Sequence, residues 1–178
     1  PHMRVKALIL VPLVAVALTA CAAKVTPVPT STEAVTEKPL FATDEEALSA
    51  AQAAYANYLE VSDQIARDGG ANPERLEGLV SPELYKESAD VFSSYFSAKS
   101  HVDGSTQFDS LHLSEIRSSS ASFYVCLDVS KTRILSSSGI DETPSERPSR
   151  IPLEFKIQKA SNNFTIESSE VWTGRNFC

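Results

Sequence analysis

The 178-residue sequence is short of the residues that several large functional classes require. It has six glycines, too few and too scattered for a Gly-rich phosphate cradle, and it contains no P-loop. Sixteen Lys and Arg stand against twenty-three Asp and Glu, a net charge of -7, so no cationic excess exists to neutralise a nucleic-acid backbone. No H-E-x-x-H, no C-x-x-C and no Ser-His-Asp order is present, which leaves metalloprotease, dithiol-redox and hydrolase chemistry without their residues. None of the three cysteines has a Cys or His at ligand spacing, so no metal or other cofactor is expected. The one long apolar run, Ala7 to Leu18, contains Pro12 and falls short of the roughly 20 residues that span a bilayer core.

What is present starts with ordinary globular composition, 42% apolar and 22% charged, and with eight Phe, five Tyr and one Trp, enough for a real core. Ahead of that core, Arg4 and Lys6 precede the apolar run, and Leu18-Thr19-Ala20-Cys21 follow it. This is the charged region, short apolar region and small-residue cleavage site of an export signal over residues 1–20. Pro1 and His2 precede Met3 and are assigned no role. Cys21 directly after Leu-Thr-Ala resembles the lipobox of bacterial lipoproteins, which implies cleavage before Cys21 and acylation of its sulfur. Cleavage removes Arg4 and Lys6 and no acid, so the mature chain is more acidic still. Two acyl chains suffice for stable attachment, at about 0.8 kcal/mol per buried CH2, and no basic patch is needed. The expected location is therefore the extracytoplasmic side of a cell membrane, with the lipid bilayer as a partner through Cys21. Residues 21–43 carry Pro27, Pro29, Pro39 and many Thr and Ser, a composition that cannot offset ordering entropy by burial, and are expected to act as a tether.

Three cysteines are an odd number for an exported chain. With Cys21 acylated, Cys126 and Cys178 are left as a pair in an oxidising compartment, and a disulfide between them is expected; two separate reduced thiols are the alternative. Alternation along the strand sends Phe123, Val125 and Leu127 inward and the Cys126 sulfur outward beside Tyr124 and Asp128. The bridge would then tie the C-terminal tail across the sheet face opposite the helices.

The globular part is expected over residues 44–178. Thr43 and Glu46 form a capping-box pattern, and Leu48, Ala51, Tyr55, Tyr58, Leu59, Ile65 and Ala66 recur at helical spacing, predicting a helix over about 44–67. Gly69 and Gly70 end it, and Asn72-Pro73 predicts a short helix near 73–79. Ser81-Pro82-Glu83 starts a third, running to about Ser100, with Tyr85, Phe92, Tyr95 and Phe96 in an aromatic stripe. The period then becomes two: strands are predicted at 107–117 with a bulge, at 121–129, at 151–157, and after the Asn162-Asn163 turn at 164–172. The connection over 135–150 is long and is expected to be a mobile flap. Three N-terminal helices packed on a curved four-stranded antiparallel sheet give an α+β class.

One long N-terminal helix, a short helix, an aromatic-striped helix and then a run of long curved strands resemble the nuclear transport factor 2-like, or cystatin-like, cone fold. The tether, the helical half, Val125-Cys126-Leu127-Asp128-Val129 and a terminal Trp172 before Cys178 look like small actinobacterial lipoproteins. This resemblance implies a cone that often has a pocket at its open end, which enzymes, ligand binders and partner-binding modules all use. Tyr85, Phe92, Tyr95 and Phe96 are the candidate pocket lining; an aromatic stripe at this spacing is more often core. Enzymes on this fold place a Tyr with an Asp or His base in an apolar pocket, and the groups available are Tyr55, Tyr58, Tyr85, Tyr95, Asp63, Asp90, His101, His112 and Asp128. None lies in a motif; Asp128 and His112 are expected at the surface, and His101 as a cation at a helix end. The expected function is a membrane-anchored, non-enzymatic envelope lipoprotein that binds a protein partner or a small apolar ligand. A lyase- or isomerase-like enzyme is the alternative.

Overall fold

The computed structural model describes residues 38–178. The signal, Cys21 and most of the tether lie outside the described residues. Helix α1, Asp44–Arg67, is capped by Thr43, whose Oγ1 accepts from the Glu46 N–H at 3.2 Å; the Glu46 carboxylate reaches back in turn, to the Ala42 N–H one residue before the cap, at 3.0 Å. Acids fill its first turn and Arg67 its last, matching the helix dipole. Its buried face, Ala47, Ala51, Tyr55, Leu59, Ile65 and Ala66, packs against the sheets.

The expected second helix is corrected to a single 3-10 turn, Pro73–Leu76. Asn72 sits in the left-handed region at φ 55 and its side chain caps nothing, while Gly78 at φ 78 turns the chain away, so only one turn forms. Helix α2, Pro82–Ala98, is capped by Ser81, whose Oγ accepts from the Leu84 N–H at 3.1 Å and donates to the Glu167 carbonyl at 2.9 Å. It ends two residues before the expected Ser100, because Lys99 takes φ 53 and the chain turns into a strand.

Six strands follow: β1 Ser100–Asp103, β2 Gln107–Ile116, β3 Ser120–Asp128, β4 Arg133–Ser136, β5 Arg150–Ala160 and β6 Asn163–Val171. The main sheet has the order β2-β3-β5-β6, antiparallel throughout. Register shifts at Asp109/His112, Leu113/Glu115 and Lys156/Ile157 supply the bulges that bend its strands, the first two within the region where the apolar phase slips in the sequence. Strands β1 and β4 form a separate two-stranded sheet that the sequence pattern does not announce.

That small sheet also corrects the expected flap. The Glu142 N–H donates to the Ile134 carbonyl and the Ile134 N–H to Thr143 Oγ1, both at 2.8 Å, making a short hairpin. Arg147 then ties the connection back, donating to the Val129 and Thr132 carbonyls at 3.1 and 2.7 Å and to Thr132 Oγ1 at 3.0 Å. Three charge-assisted hydrogen bonds from one guanidinium give the segment a fixed path.

The core lies between the helices and the inward sheet face. Tyr55 stacks on Phe155 at 4.3 Å, Phe123 on Phe155 at 5.4 Å, and Phe108 meets Tyr55 edge-on at 5.2 Å. Phe123 and Phe155 are fully buried and Tyr55 is 1% exposed, so these rings fill the space between α1 and the sheet. At the opposite end of α1 from Arg67, Phe41 packs against Phe164 at 5.0 Å and the Leu40 N–H donates to the Arg117 carbonyl. The N-terminal segment thus joins the fold at the start of α1.

Candidate functional site

The outward face of the sheet carries the cysteines as alternation requires. Cys126 and Cys178 are joined in a disulfide with their Cα atoms 5.4 Å apart. The tail reaches there by way of Trp172, whose N–H donates to the Pro152 carbonyl at 2.8 Å and whose ring meets Tyr124 edge-on at 4.8 Å. Phe177 approaches Tyr124 at 5.9 Å. Under this cover Cys126 is fully buried although it points away from the helices.

The aromatic stripe does not act as one pocket lining. Phe92 is 6% exposed in the core, Tyr85 and Tyr95 are half-buried against it, and Phe96, in the last turn of α2, is 69% exposed. Periodicity identifies a helix face but not how far along the helix its cover extends.

A cleft with apolar and polar lining lies elsewhere. It has a volume of about 550 Å³ and opens between the second half of α1 and the β1–β2 loop. Ala56, Leu59 and Phe108 form its apolar part; Glu60, Asp63 and Gln107 supply polar groups. Asp63 shapes the cleft: its two oxygens accept from the Thr106 N–H at 2.8 Å and from Thr106 Oγ1 at 2.7 Å. Arg67 adds a 3.3 Å hydrogen bond to the Gly104 carbonyl, so both ends of the loop are fixed to the helix. No local sequence signal marks this cleft, because Asp63 and Thr106 are 43 positions apart.

The acid-base candidates do not converge. Burial pushes the Tyr55 and Tyr58 phenols well above their ordinary range, so both stay protonated. The Tyr55 hydroxyl meets Ser169 among packed rings, with no Asp or His beside it among the described residues. Asp63 accepts with both oxygens from Thr106, at the wall of the cleft and apart from Tyr55 and Tyr58. Asp90 and His112 are exposed, and His101 lies half-buried in β1, just beyond the end of α2.

Asp128 belongs to an ionic cluster at the end of the main sheet. Arg150 donates to both Asp109 oxygens at 2.7 and 2.8 Å and to Asp128 at 3.3 Å. The guanidinium, chiefly by these hydrogen bonds, holds the Asp109 carboxyl below the usual carboxylate range. Asp128 is lowered first by its hydrogen bonds with Ser130 and then by Arg150. These carboxylates join β2, β3 and β5; they face no cavity with a Tyr. Among the described residues no group of His, Cys, Asp and Glu could hold a metal, and no helix is long and apolar enough to cross a membrane.

No protein-family model matches the chain, and no curated sequence does. Among solved structures, the intermembrane space region of the chloroplast protein ARC6 is similar over 71% of this chain and 97% of its own, at 8% identity and a TM-score of 0.53. Aln2 from a Streptomyces species is similar over 72% of this chain and 91% of its own, at 14% identity and a TM-score of 0.47. A protein assigned as a scytalone dehydratase, from Novosphingobium aromaticivorans, covers 74% of this chain and 86% of its own at 11% identity, with a TM-score of 0.47. The likeness to the ARC6 region concerns fold alone, and the described domain is α+β with two helices against a four-stranded antiparallel sheet.

Proposed function

We propose that the chain is an exported lipoprotein, held at the extracytoplasmic membrane surface through acylated Cys21, whose cone domain is a binding module. The observation that carries the binding reading is the filled interior: Tyr55, Phe123 and Phe155 stack where a catalytic chamber would need to be. A lyase or isomerase on this scaffold needs a Tyr and an acid or base aimed into an apolar cavity. Here the buried Tyr55 has rings and Ser169 around it, and the Asp63 carboxylate lies in the separate α1/β1–β2 cleft, hydrogen-bonded to Thr106. The α1/β1–β2 cleft is the ligand site, with Ala56, Leu59 and Phe108 receiving an apolar body and Glu60 and Gln107 meeting a polar group on it.

The disulfide supports the export half of the reading, since such bonds persist in oxidising compartments. Metabolic labelling with an alkyne fatty acid tests the anchor. Wild-type protein is expected to take up label and sediment with membranes, and Cys21→Ala to do neither. Unlabelled wild-type protein in the medium overturns the anchor. Saturable binding of a hydrophobic fluorescent probe, displaced in Leu59→Gln, tests the cleft; equal binding by wild type and variant overturns its assignment.

A further inference from the structure

A second concavity, of about 620 Å³, lies where the C-terminal ends of α1 and α2 meet the β1–β4 sheet. Arg67, Lys99 and His101 line it, with Phe96 and Ser137 at its walls. The geometry points to a binding site for a phosphate group carried on a ligand with an apolar portion.

Charge is the first ground. In a chain of net charge -7, three cationic or ionisable basic side chains share one recess. Its carboxylate, Asp68, is already paired with Arg75 at 2.8 Å. The side chains of Lys99 and His101 have no hydrogen-bond or ion-pair partner among the described residues, and Arg67 uses one nitrogen on the Gly104 carbonyl. Cations at helix C-termini also answer the helix dipoles, and that role has to be weighed. Two helix ends bring about -1 in total, whereas Arg67 and Lys99 bring +2, so a positive excess is left over even with His101 neutral.

Shape is the second. Gly69, at φ 66, brings the end of α1 so close to β1 that a Cβ would lie 3.2 Å from the Ser100 carbonyl oxygen. This close approach and the left-handed turn at Lys99, φ 53, set three basic groups from two chain segments, the end of α1 and the α2–β1 junction, around one space. Donors arriving from several directions suit a tetrahedral oxyanion better than a planar carboxylate. Phe96, 69% exposed, offers the recess an uncovered ring that a ligand's apolar portion would cover.

The inference stands on the recess and not on lipidation, so the two fail separately.

The test is a titration of the isotope-labelled full chain, in zwitterionic micelles, with inorganic phosphate and phenyl phosphate, followed through backbone amide shifts. Saturable shifts at Lys99, Ser100, His101 and Ser137 are expected, tighter for phenyl phosphate and weakened by added salt. Lys99→Asn with His101→Gln should weaken both ligands by about tenfold or more, and Phe96→Ala should weaken phenyl phosphate alone. Absence of saturable shifts, or equal affinity in wild type and double variant, overturns the site. Saturable shifts with the soluble phosphates assign the site to a free ligand, and shifts produced by phosphatidylglycerol vesicles and by neither soluble phosphate assign it to a lipid headgroup. Phe96→Ala, at an exposed position, gives a folded comparison should the double variant unfold.

Discussion

Replacing Cys178 by Ser separates the cross-link from every other contribution of the bridge. Cys126 and Cys178 are 52 positions apart, and the chain-entropy relation for a loop of that size gives about 4 kcal/mol of destabilisation of the unfolded state that the variant forfeits. Cys178 is at the exposed terminus, and the Cys126 thiol left behind is a small apolar group that tolerates its fully buried site. Cys126→Ser loses the same cross-link and also places a hydroxyl in that buried site, at a further cost of about 1–3 kcal/mol if no partner accepts it. For a domain whose total stability is on the order of 5–15 kcal/mol these are large fractions, and a loss of 4 kcal/mol corresponds to roughly 12 °C in Tm. Urea unfolding of the non-reduced proteins, followed by the fluorescence of Trp172, reports both the stability and the packing of the tail on Tyr124. The expected order is wild type, then Cys178→Ser, then Cys126→Ser, with wild type in reductant matching Cys178→Ser. A Cys178→Ser variant within 1 kcal/mol of wild type would refute the cross-link's stabilising role, and equal stability of the two variants would refute the burial argument.

Arg150→Gln should remove most of the contribution of the Asp109 carboxylate and a smaller part of that of Asp128, whose folded values are depressed. That contribution is complete above the ordinary carboxylate range and is lost as pH falls through the depressed values, so the gap between wild type and variant should be widest near neutrality and close in acid. Denaturation midpoints across pH 2–7 check it, and a gap that widens in acid contradicts it. Gly70→Ala should cost about 3 kcal/mol, because φ 82 disfavours a side chain and the new Cβ would strike the Phe92 carbonyl oxygen. Thermal unfolding decides, and a loss under 1 kcal/mol would mean that α2 can move away. Phe155→Ala, deleting the ring between Tyr55 and Phe123, should cost about 3–5 kcal/mol by the same measurement.

Much of this fold is written locally. Thr43 and Glu46 fix the start of α1, and the strict alternation from Ala121 to Val129 places Cys126 on the face where the tail meets it. The second helix fails at Asn72, whose left-handed backbone no capping pattern reveals. Strands β1 and β4 are four residues each, too short for a period of two to register, and exist because they pair across the 29 residues between them. The same distance in sequence hides both recesses: Asp63 meets Thr106 through tertiary contact alone, and Arg67 reaches Lys99 and His101 only once both helices have ended against β1. The stripe on α2 carries the right residue types for a pocket, yet Phe92 turns into the core and Phe96 into solvent.

The most direct test of a lipid-anchored, disulfide-closed binding module is the intact mass of the protein purified from bacterial membranes without reductant. The account predicts a chain that starts at Cys21, carries diacylglycerol on its sulfur, and is two hydrogens lighter than its reduced form. A chain still holding residues 1–20, or one starting at an unmodified Cys21 with two titratable thiols at Cys126 and Cys178, would contradict it.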